Sequence, residues 1–294
     1  MGQGKGQGIV MSQADYRSAE GLSSTDIKRM AQSMAHFKYY RDNPSDKDTP
    51  SLLFGRAYHK YCLEPYDFFN EFIVAPTTID RRTKQGKQDY ADFLEEAKGK
   101  DVISAEMMCT IEEMQKVLYA TPFAKKLIYG EHEKSFFWTD AESGFKCKCR
   151  PDSFGSIGGQ PICVDLKTCQ CAETEKFMRD AIKLNYDIQA SHYCDGLKAN
   201  TGKDFMFIFI AQEKTPPYAV NILQADEYFM RSGHDVRASL LESYKECVER
   251  NEYPSFMGFD SDAHINSLGI PEWLKKANNY VEEDFDDGEL YEES

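Results

Sequence analysis

The sequence predicts an α/β core carrying a helical N-terminal elaboration, and three observations carry that prediction. Apolar residues recur at helical spacing through the first half of the chain. The period shortens to about two near Glu131. Phe205–Ala211 is then a nearly continuous apolar run, as expected of a strand buried on both faces.

Each element follows from local signals. Ser23 or Ser24 caps a helix whose residues Ile27, Met30, Met34 and Phe37 keep helical spacing, and Asn43-Pro44 ends it. A second helix spans about 51–63 and stops before Pro65. Leu52, Gly55, Arg56, His59 and Leu63 fall near one face of it, which turns His59 inward. Further helices are expected at 86–97, 105–119 and 121–129. Glu133–Thr139, rich in Phe and Trp, reads as a strand. Glu142-Ser143-Gly144 makes a turn, and Phe145–Phe154 returns as a second strand. Gly155, Gly158 and Gly159 lead into a third strand at Pro161–Thr168, completing a three-stranded meander. Helices at 173–184 and 186–199, a strand at Phe205–Ala211, another at Tyr218–Leu223 and a long amphipathic helix at 225–250 finish the order. No internal repeat is visible.

The chain of 294 residues suits one large domain or two small ones, with 41% hydrophobic and 29% charged residues typical of a globular protein. Its 35 Lys and Arg against 49 Asp and Glu leave a net charge of −14, which argues against nucleic acid as a partner if read as a total. The acid is unevenly placed, however. Eight of those charges lie between Val281 and Ser294, a stretch without Lys or Arg that repels itself and reads as a disordered tail. Met1–Gln13 is rich in Gly and Gln and also reads as unstructured. It lacks the apolar stretch of a signal peptide, and Gly6 stands where a myristoylation signal wants Ser or Thr. No apolar run reaches the roughly 18 residues of a membrane span. A soluble, cytoplasmic chain without membrane contact is expected.

Nine cysteines without a secretion signal point to reduced thiols. Cys147-x-Cys149 and Cys169-x-Cys171 raise zinc or iron–sulfur binding, but one intervening residue is short for paired sulfurs on one ion. Buried or incidental thiols are the favoured reading.

Strand parity places Lys146, Lys148, Arg150 and Asp152 on one face of the second strand, with Phe145, Cys147 and Cys149 on the other. Asp165 and Lys167 share a face of the third. Asp152 and Asp165 lie on sequential strands, so their carboxylates can meet across the pair. Two convergent carboxylates suit a hard divalent cation such as magnesium. A neighbouring lysine, its pKa lowered by desolvation, orients or deprotonates water, and the cation offsets charge building on a phosphate. That chemistry is phosphodiester hydrolysis. On spacing alone, an ordinary salt-bridged strand face is the better explanation of Asp165 and Lys167.

Arg150-Pro151-Asp152 followed by Asp165-Leu166-Lys167 resembles the PD-(D/E)XK nuclease signature. Gln189-x-x-x-Tyr193 resembles the Gln-x-x-x-Tyr motif of the RecB-like branch, and His59 matches that branch's upstream metal-binding His. Ser23, Ile27, Leu63-Glu64-Pro65 and Arg82-Thr83-Lys84-x-Gly86-Lys87 look like the RecE-type exonuclease, exodeoxyribonuclease VIII, and its phage relatives. The resemblance covers about residues 20 to 255. It implies a restriction-endonuclease-like fold, a central mixed sheet flanked by helices, in a single nuclease domain at 21–255 with a helical part 21–130 and a sheet core 131–255. A flexible N-terminus at 1–20 and a C-terminal segment at 256–294 flank that domain.

By the same resemblance His59, Asp152, Asp165 and the backbone carbonyl of Leu166 are metal ligands for one or two Mg2+ ions, with Mn2+ as substitute. Lys167 is the catalytic lysine, and Glu133 is a further ligand or a salt bridge at the rim. Gln189 and Tyr193 hold DNA near the scissile phosphate, or else pack the helix on the sheet. Arg81, Arg82, Lys84 and Lys87 track phosphates, or form a solvated turn, and Lys146, Lys148 and Arg150 add a cationic face. The activity implied is 5′→3′ exonuclease digestion of linear double-stranded DNA, in a ring-like homo-oligomer. A RecT-type annealing partner and a phage or prophage origin in a bacterial host go with it. A RecB-like nuclease on single strands or flaps, a binding or assembly protein on the same fold, and a regulatory DNA mimic are the rival readings.

The acidic tail either repels DNA from the outer surface or occupies the basic channel until substrate displaces it. Truncation after Tyr280 should therefore change DNA affinity and its salt dependence, measured by fluorescence anisotropy over a salt series. Unchanged values would exclude both roles.

Overall fold

The described residues of the computed structural model are 8–44, 49–80, 82–259, 265–271 and 275. Arg81 and the acidic run from Glu282 lie outside them. The chain divides into a unit Met1–Tyr253 and a unit Pro254–Ser294, and every element below belongs to the first.

The helical part holds α1 (Gln13–Ser18), α2 (Ser24–Gln32), α3 (Met34–Asp42), α4 (Pro50–Leu63) and α5 (Phe68–Glu71). After them come β1 (Phe72–Val74), α6 (Lys84–Glu96), β2 (Asp101–Ile103), α7 (Ala105–Ala120) and α8 (Pro122–Leu127). Ser23 caps α2 through a capping box: its hydroxyl accepts from the Asp26 amide, and the Asp26 carboxylate accepts from the Ser23 amide at 2.9 Å. The one helix expected from Ser23 to Asn43 is two. Ser33 is extended, with ψ at 160°, and its hydroxyl caps α3 by accepting from the His36 amide at 3.1 Å. Thr49 caps α4, and Pro50 occupies the first turn, where a missing N–H costs nothing. The buried face of α4 is Ala57, Tyr58, Cys62 and Leu63, whereas Leu52 is exposed. Helix α1 and the parallel pair β1–β2 were not anticipated, being too short to show a period.

The second half holds β3 (Glu131–His132), β4 (Phe136–Thr139), β5 (Lys146–Cys149), β6 (Ser153–Ile157) and β7 (Gln160–Cys169). Then follow α9 (Thr174–Lys183), α10 (Tyr186–Thr201), β8 (Met206–Glu213), β9 (Val220–Gln224) and α11 (Glu227–Arg250). The expected meander is not formed. Glu133 turns out of the first strand at φ +49°, and Arg150-Pro151-Asp152 interrupts the second, where proline has no N–H for a ladder. Strands β4 and β5 consequently pair as a separate hairpin, while β3 and β6 join a five-stranded sheet of order β3-β6-β7-β8-β9. Gly158 and Gly159 form the two-residue turn between β6 and β7. Both have positive φ, +58° and +87°, as a tight hairpin requires. Helices α9 and α10 make the crossover that allows β7 and β8 to run parallel.

Alternation along β7 builds the core on both faces. Ile162, Val164 and Leu166 join Ile208 and Ile210 against the layer of α4, α7 and α8. Cys163 faces the other way with Phe207, Phe209 and Ala211, against Phe177, Ala181, Ala190 and Leu197 of α9 and α10. Arg237 of α11 is buried with Nη1 at 2.8 Å from Asp140 and Nη2 at 2.7 Å from Asp195, so one cation ties the hairpin, α10 and α11 together. Gly233 of α11 sits so close to α10 that a Cβ there would lie 2.0 Å from the Asp187 carbonyl oxygen. No helix among the described residues is long and apolar enough to cross a membrane.

Gly233→Ala should destabilise the fold by ~3 kcal/mol, because overpacking a closed backbone contact forces the two helices apart. Gly55→Ala in α4, where no atom lies within 4 Å of the new methyl, should instead add ~0.5 to 1 kcal/mol. Urea unfolding measures both, and a stable Gly233→Ala would contradict the close crossing.

Candidate active site

Asp165 lies on the α10-facing side of β7 and is only 1% exposed. Its Oδ1 accepts from Gln189 Nε2 at 2.6 Å, and its Oδ2 stands 2.5 Å from Lys167 Nζ, two residues along the same face. That Oδ2 has no well-directed hydrogen bond among the described residues. The register pairs Ser153 with Val164, which brings Asp152, just before β6, level with Asp165. Asp152 Oδ2 accepts from the Leu166 amide at 2.8 Å and lies 3.5 Å from His59 Nδ1 on α4. The break in the second strand serves this arrangement: the hairpin strand ends at Cys149, Pro151 follows, and Asp152 leads directly into β6 of the central sheet.

Glu133 occupies the matching break in the first strand. Its amide donates to the Asp152 carbonyl at 3.4 Å, and its carboxylate meets Arg150 Nε at 2.6 Å. Of the two roles expected for Glu133, a ligand or a salt bridge, this is the ion pair, and it is largely buried. Lys28 of α2 donates to Gln189 Oε1 at 2.8 Å and stands 4.7 Å from the Tyr186 ring centroid, while Lys167 stands 4.8 Å from the same centroid.

Burial and close charges set the protonation states. Burial by itself would lower Lys167, but the Asp165 carboxylate together with Tyr186 and Asp152 outweighs it and raises the pKa above the ordinary lysine value. The expectation that desolvation depresses this lysine is thereby reversed, and Lys167 is held as an ammonium. Burial raises Asp165, against the pull of Lys167 and with the nearby charge of Asp152. Glu133 is raised to about 7 by burial and then by Asp152, against Arg150. Lys28 is lowered to about 7 by burial and then by the like charge of Lys167. Burial opposes both charges of the His59–Asp152 pair, yet their mutual attraction prevails, raising His59 and lowering Asp152.

The other expected residues divide. Lys146 is exposed and pairs with Glu20 at 2.6 Å. Lys148 is buried, its Nζ donating to the Tyr16, Arg17 and Ala19 carbonyls at the end of α1, so it presents no cationic face. Arg150 is likewise taken up by Glu133. The supposed common face fails because Lys148 is covered by α1 and the strand ends at Cys149. Arg82, Lys84 and Lys87 are exposed at the start of α6, and Gly86 lets that turn close on Asp80, whose carbonyl oxygen would lie 2.0 Å from a Cβ. Tyr193, one helical turn beyond Gln189, packs against Phe207 with ring centroids 6.4 Å apart, and burial together with the charges of Tyr16, Asp165 and Asp152 raises the pKa of its hydroxyl. Cys147 and Cys149 are buried, and all nine cysteines are free thiols.

Sequence reasoning missed Lys28 and Tyr186. Tyr186 lies one helical turn before Gln189, a spacing visible in the sequence. Nothing local marks Lys28, which reads as the polar neighbour of the core residue Ile27.

No three His, Cys, Asp or Glu side chains among the described residues form a ready metal-ligand group. The donor chemistry nevertheless fits a hard divalent cation: two level carboxylates, a histidine beside one of them, and a buried carboxylate oxygen on the other that lacks a directed hydrogen bond.

A mixed sheet flanked by helices, with Pro-Asp entering one strand and Asp-x-Lys on the next, defines the PD-(D/E)XK nuclease fold. The chain belongs to the family described as a PDDEXK-like domain of unknown function (DUF3799), whose model matches residues 23–258. Among solved structures it is similar to a provisionally assigned exonuclease from Eubacterium rectale, at 18% identity and a TM-score of 0.60, covering 93% of this chain and 100% of that one. An alkaline exonuclease from Laribacter hongkongensis is 17% identical over 68% of this chain and 97% of that one, but its TM-score of 0.25 is too low to support a shared fold. No curated protein matches.

The raised His59 contributes stability fully below its ordinary value of 6.5, and that contribution is lost as pH rises through the raised value. The lowered Asp152 contributes above its ordinary 3.8, lost as pH falls through the depressed value. The pair thus acts in the window between. With chelator present, His59 should titrate above 6.5 by NMR, and Asp152→Asn should bring it below. An unchanged His59 in the variant would contradict the pairing.

Proposed function

We propose that the protein is a divalent-metal-dependent DNA nuclease that hydrolyses phosphodiester bonds. The observation that carries this reading is the convergence of Asp152, Asp165 and Lys167 on neighbouring strands of a PD-(D/E)XK sheet, with Asp165 buried against the lysine. Nucleases of this fold generally use divalent ions. Asp152, Asp165, His59 and the Leu166 carbonyl would hold the ion, which is Mg2+ or, as substitute, Mn2+; Glu133 is a further candidate. Bound there, it would supply Lewis-acid stabilisation of charge on the phosphate.

The chain's own residues supply the rest. Lys167, with Nζ 2.5 Å from Asp165 Oδ2, would orient or deprotonate the attacking water and offset negative charge as it develops. Gln189 holds the Asp165 carboxylate from the other side, leaving Oδ2 toward Lys167. Exposed Arg82, Lys84 and Lys87, with Arg81 before them, attract phosphates along the substrate. Their attraction is local, so a net charge of −14 does not oppose it.

The finer reading rests on the RecE-type resemblance. It is 5′→3′ digestion of linear double-stranded DNA to 3′ single strands, by a ring-like homo-oligomer working with a RecT-type annealing protein in the cytoplasm of a phage- or prophage-bearing bacterium. End-labelled duplexes of each polarity, with single-stranded and flap substrates alongside, test direction and strand preference.

On linear duplex with Mg2+, Asp165→Ala and Lys167→Ala should each lower the rate by at least about 100-fold, and chelation should abolish it. Equal activity in wild type and both variants would overturn the assignment.

A further inference from the structure

Lys28 is absent from the nuclease signature, yet it touches the site through a residue that touches Asp165. A primary amide has two ends of similar shape and opposite polarity. At Gln189 each end meets a charge: Nε2 donates to Asp165 Oδ1 at 2.6 Å, and Oε1 accepts from Lys28 Nζ at 2.8 Å. With Lys28 protonated, reversing the amide would set its oxygen against a carboxylate and its NH2 against an ammonium, so the two charges together permit one orientation. Among the described residues Lys28 forms no ion pair with a carboxylate, and its Nζ donates to the amide oxygen.

Lys28 is itself well placed. The Ser23–Asp26 capping box fixes the start of α2, buried Ile27 and Met30 anchor the helix on either side, and the Tyr186 ring supports the ammonium at 4.7 Å. That ring also carries Lys167 at 4.8 Å, so Tyr186 spaces the two lysines and leaves each to its own end of the Asp165–Gln189 pair.

We infer that Lys28 is a positioning residue for phosphodiester hydrolysis: it locks the Gln189 amide so that its NH2 holds Asp165 Oδ1 and directs Oδ2 to Lys167. The inference rests on the nuclease reading for its consequence, not for its geometry.

Two readouts test it. In the kinetic one, Lys28→Met keeps the apolar stem and should lower kcat on linear duplex about 10- to 100-fold, the usual range for a residue supporting a ligand, with KM essentially unchanged. Lys28→Arg, which retains a donor, should recover most of the loss. Adding Lys28→Met to Gln189→Met should cost little more than Gln189→Met alone, because both remove one contact chain. In the structural readout, a crystal structure of full-length Lys28→Met should show the Gln189 amide withdrawn from Asp165. An unmoved amide, additive losses of kcat, or a loss confined to KM would each overturn the inference. Should the wild type not cleave DNA at all, the nuclease reading falls, and the position of the Gln189 amide alone decides the role of Lys28.

Discussion

A carboxylate buried in the middle of a sheet is expensive unless its charge is answered, and the architecture around Asp165 supplies the answers. Lys167 lies on the same strand face and Gln189 reaches in from α10, against the like charge of Asp152 that stands level across the hairpin. Each partner needs a different element in place. The Gly158–Gly159 turn sets the register of β6 against β7, and the long crossover through α9 and α10 returns a helix over the polar face of β7. The apolar residues between, Val164 and Leu166, anchor the strand on its opposite face. A slip of one residue in β7 would exchange the ionic face for the aliphatic one, so burial and function specify the same register.

The helical elaboration is part of the site rather than an attachment to it. Helix α4 carries His59 to Asp152, and α2 carries Lys28 to Gln189. Helix α1 lays its terminal carbonyls on Lys148, which removes a lysine from the surface and fastens the chain start to the hairpin. Two groups of cations contrast. Lys148, Arg150 and Arg237 are absorbed by carbonyls and carboxylates, whereas Arg82, Lys84 and Lys87 remain exposed at the start of α6.

Much of this was legible in advance where a signal was local. The Ser23 cap, the Pro65 stop, the glycine turn and the apolar run at Phe205–Ala211 each depend on a few neighbouring residues. The pairing of Asp165 with Lys167 follows from strand parity alone. What failed was long-range. Glu133–Thr139 and Phe145–Phe154 read as unbroken strands because each half has the right alternation. In the fold the halves belong to two different sheets, divided at Glu133 and at Pro151, which has no N–H for a ladder. Ser33 likewise looks acceptable inside a helix, and the decision to extend it comes from the packing of α2 and α3.

The sequence by itself determined the strand–turn–strand unit and the spacing of its charged residues, since hairpin register and side-chain alternation are set by chemistry within a short stretch. Only the tertiary structure decided which charges are spent and which are available. Lys148 and Lys167 look alike in the sequence. One is consumed by helix carbonyls from 130 or so residues away, and the other is held protonated by a buried carboxylate. Ionisation depends on solvent exclusion and on the nearest opposite charge, and both are properties of packing rather than of order along the chain.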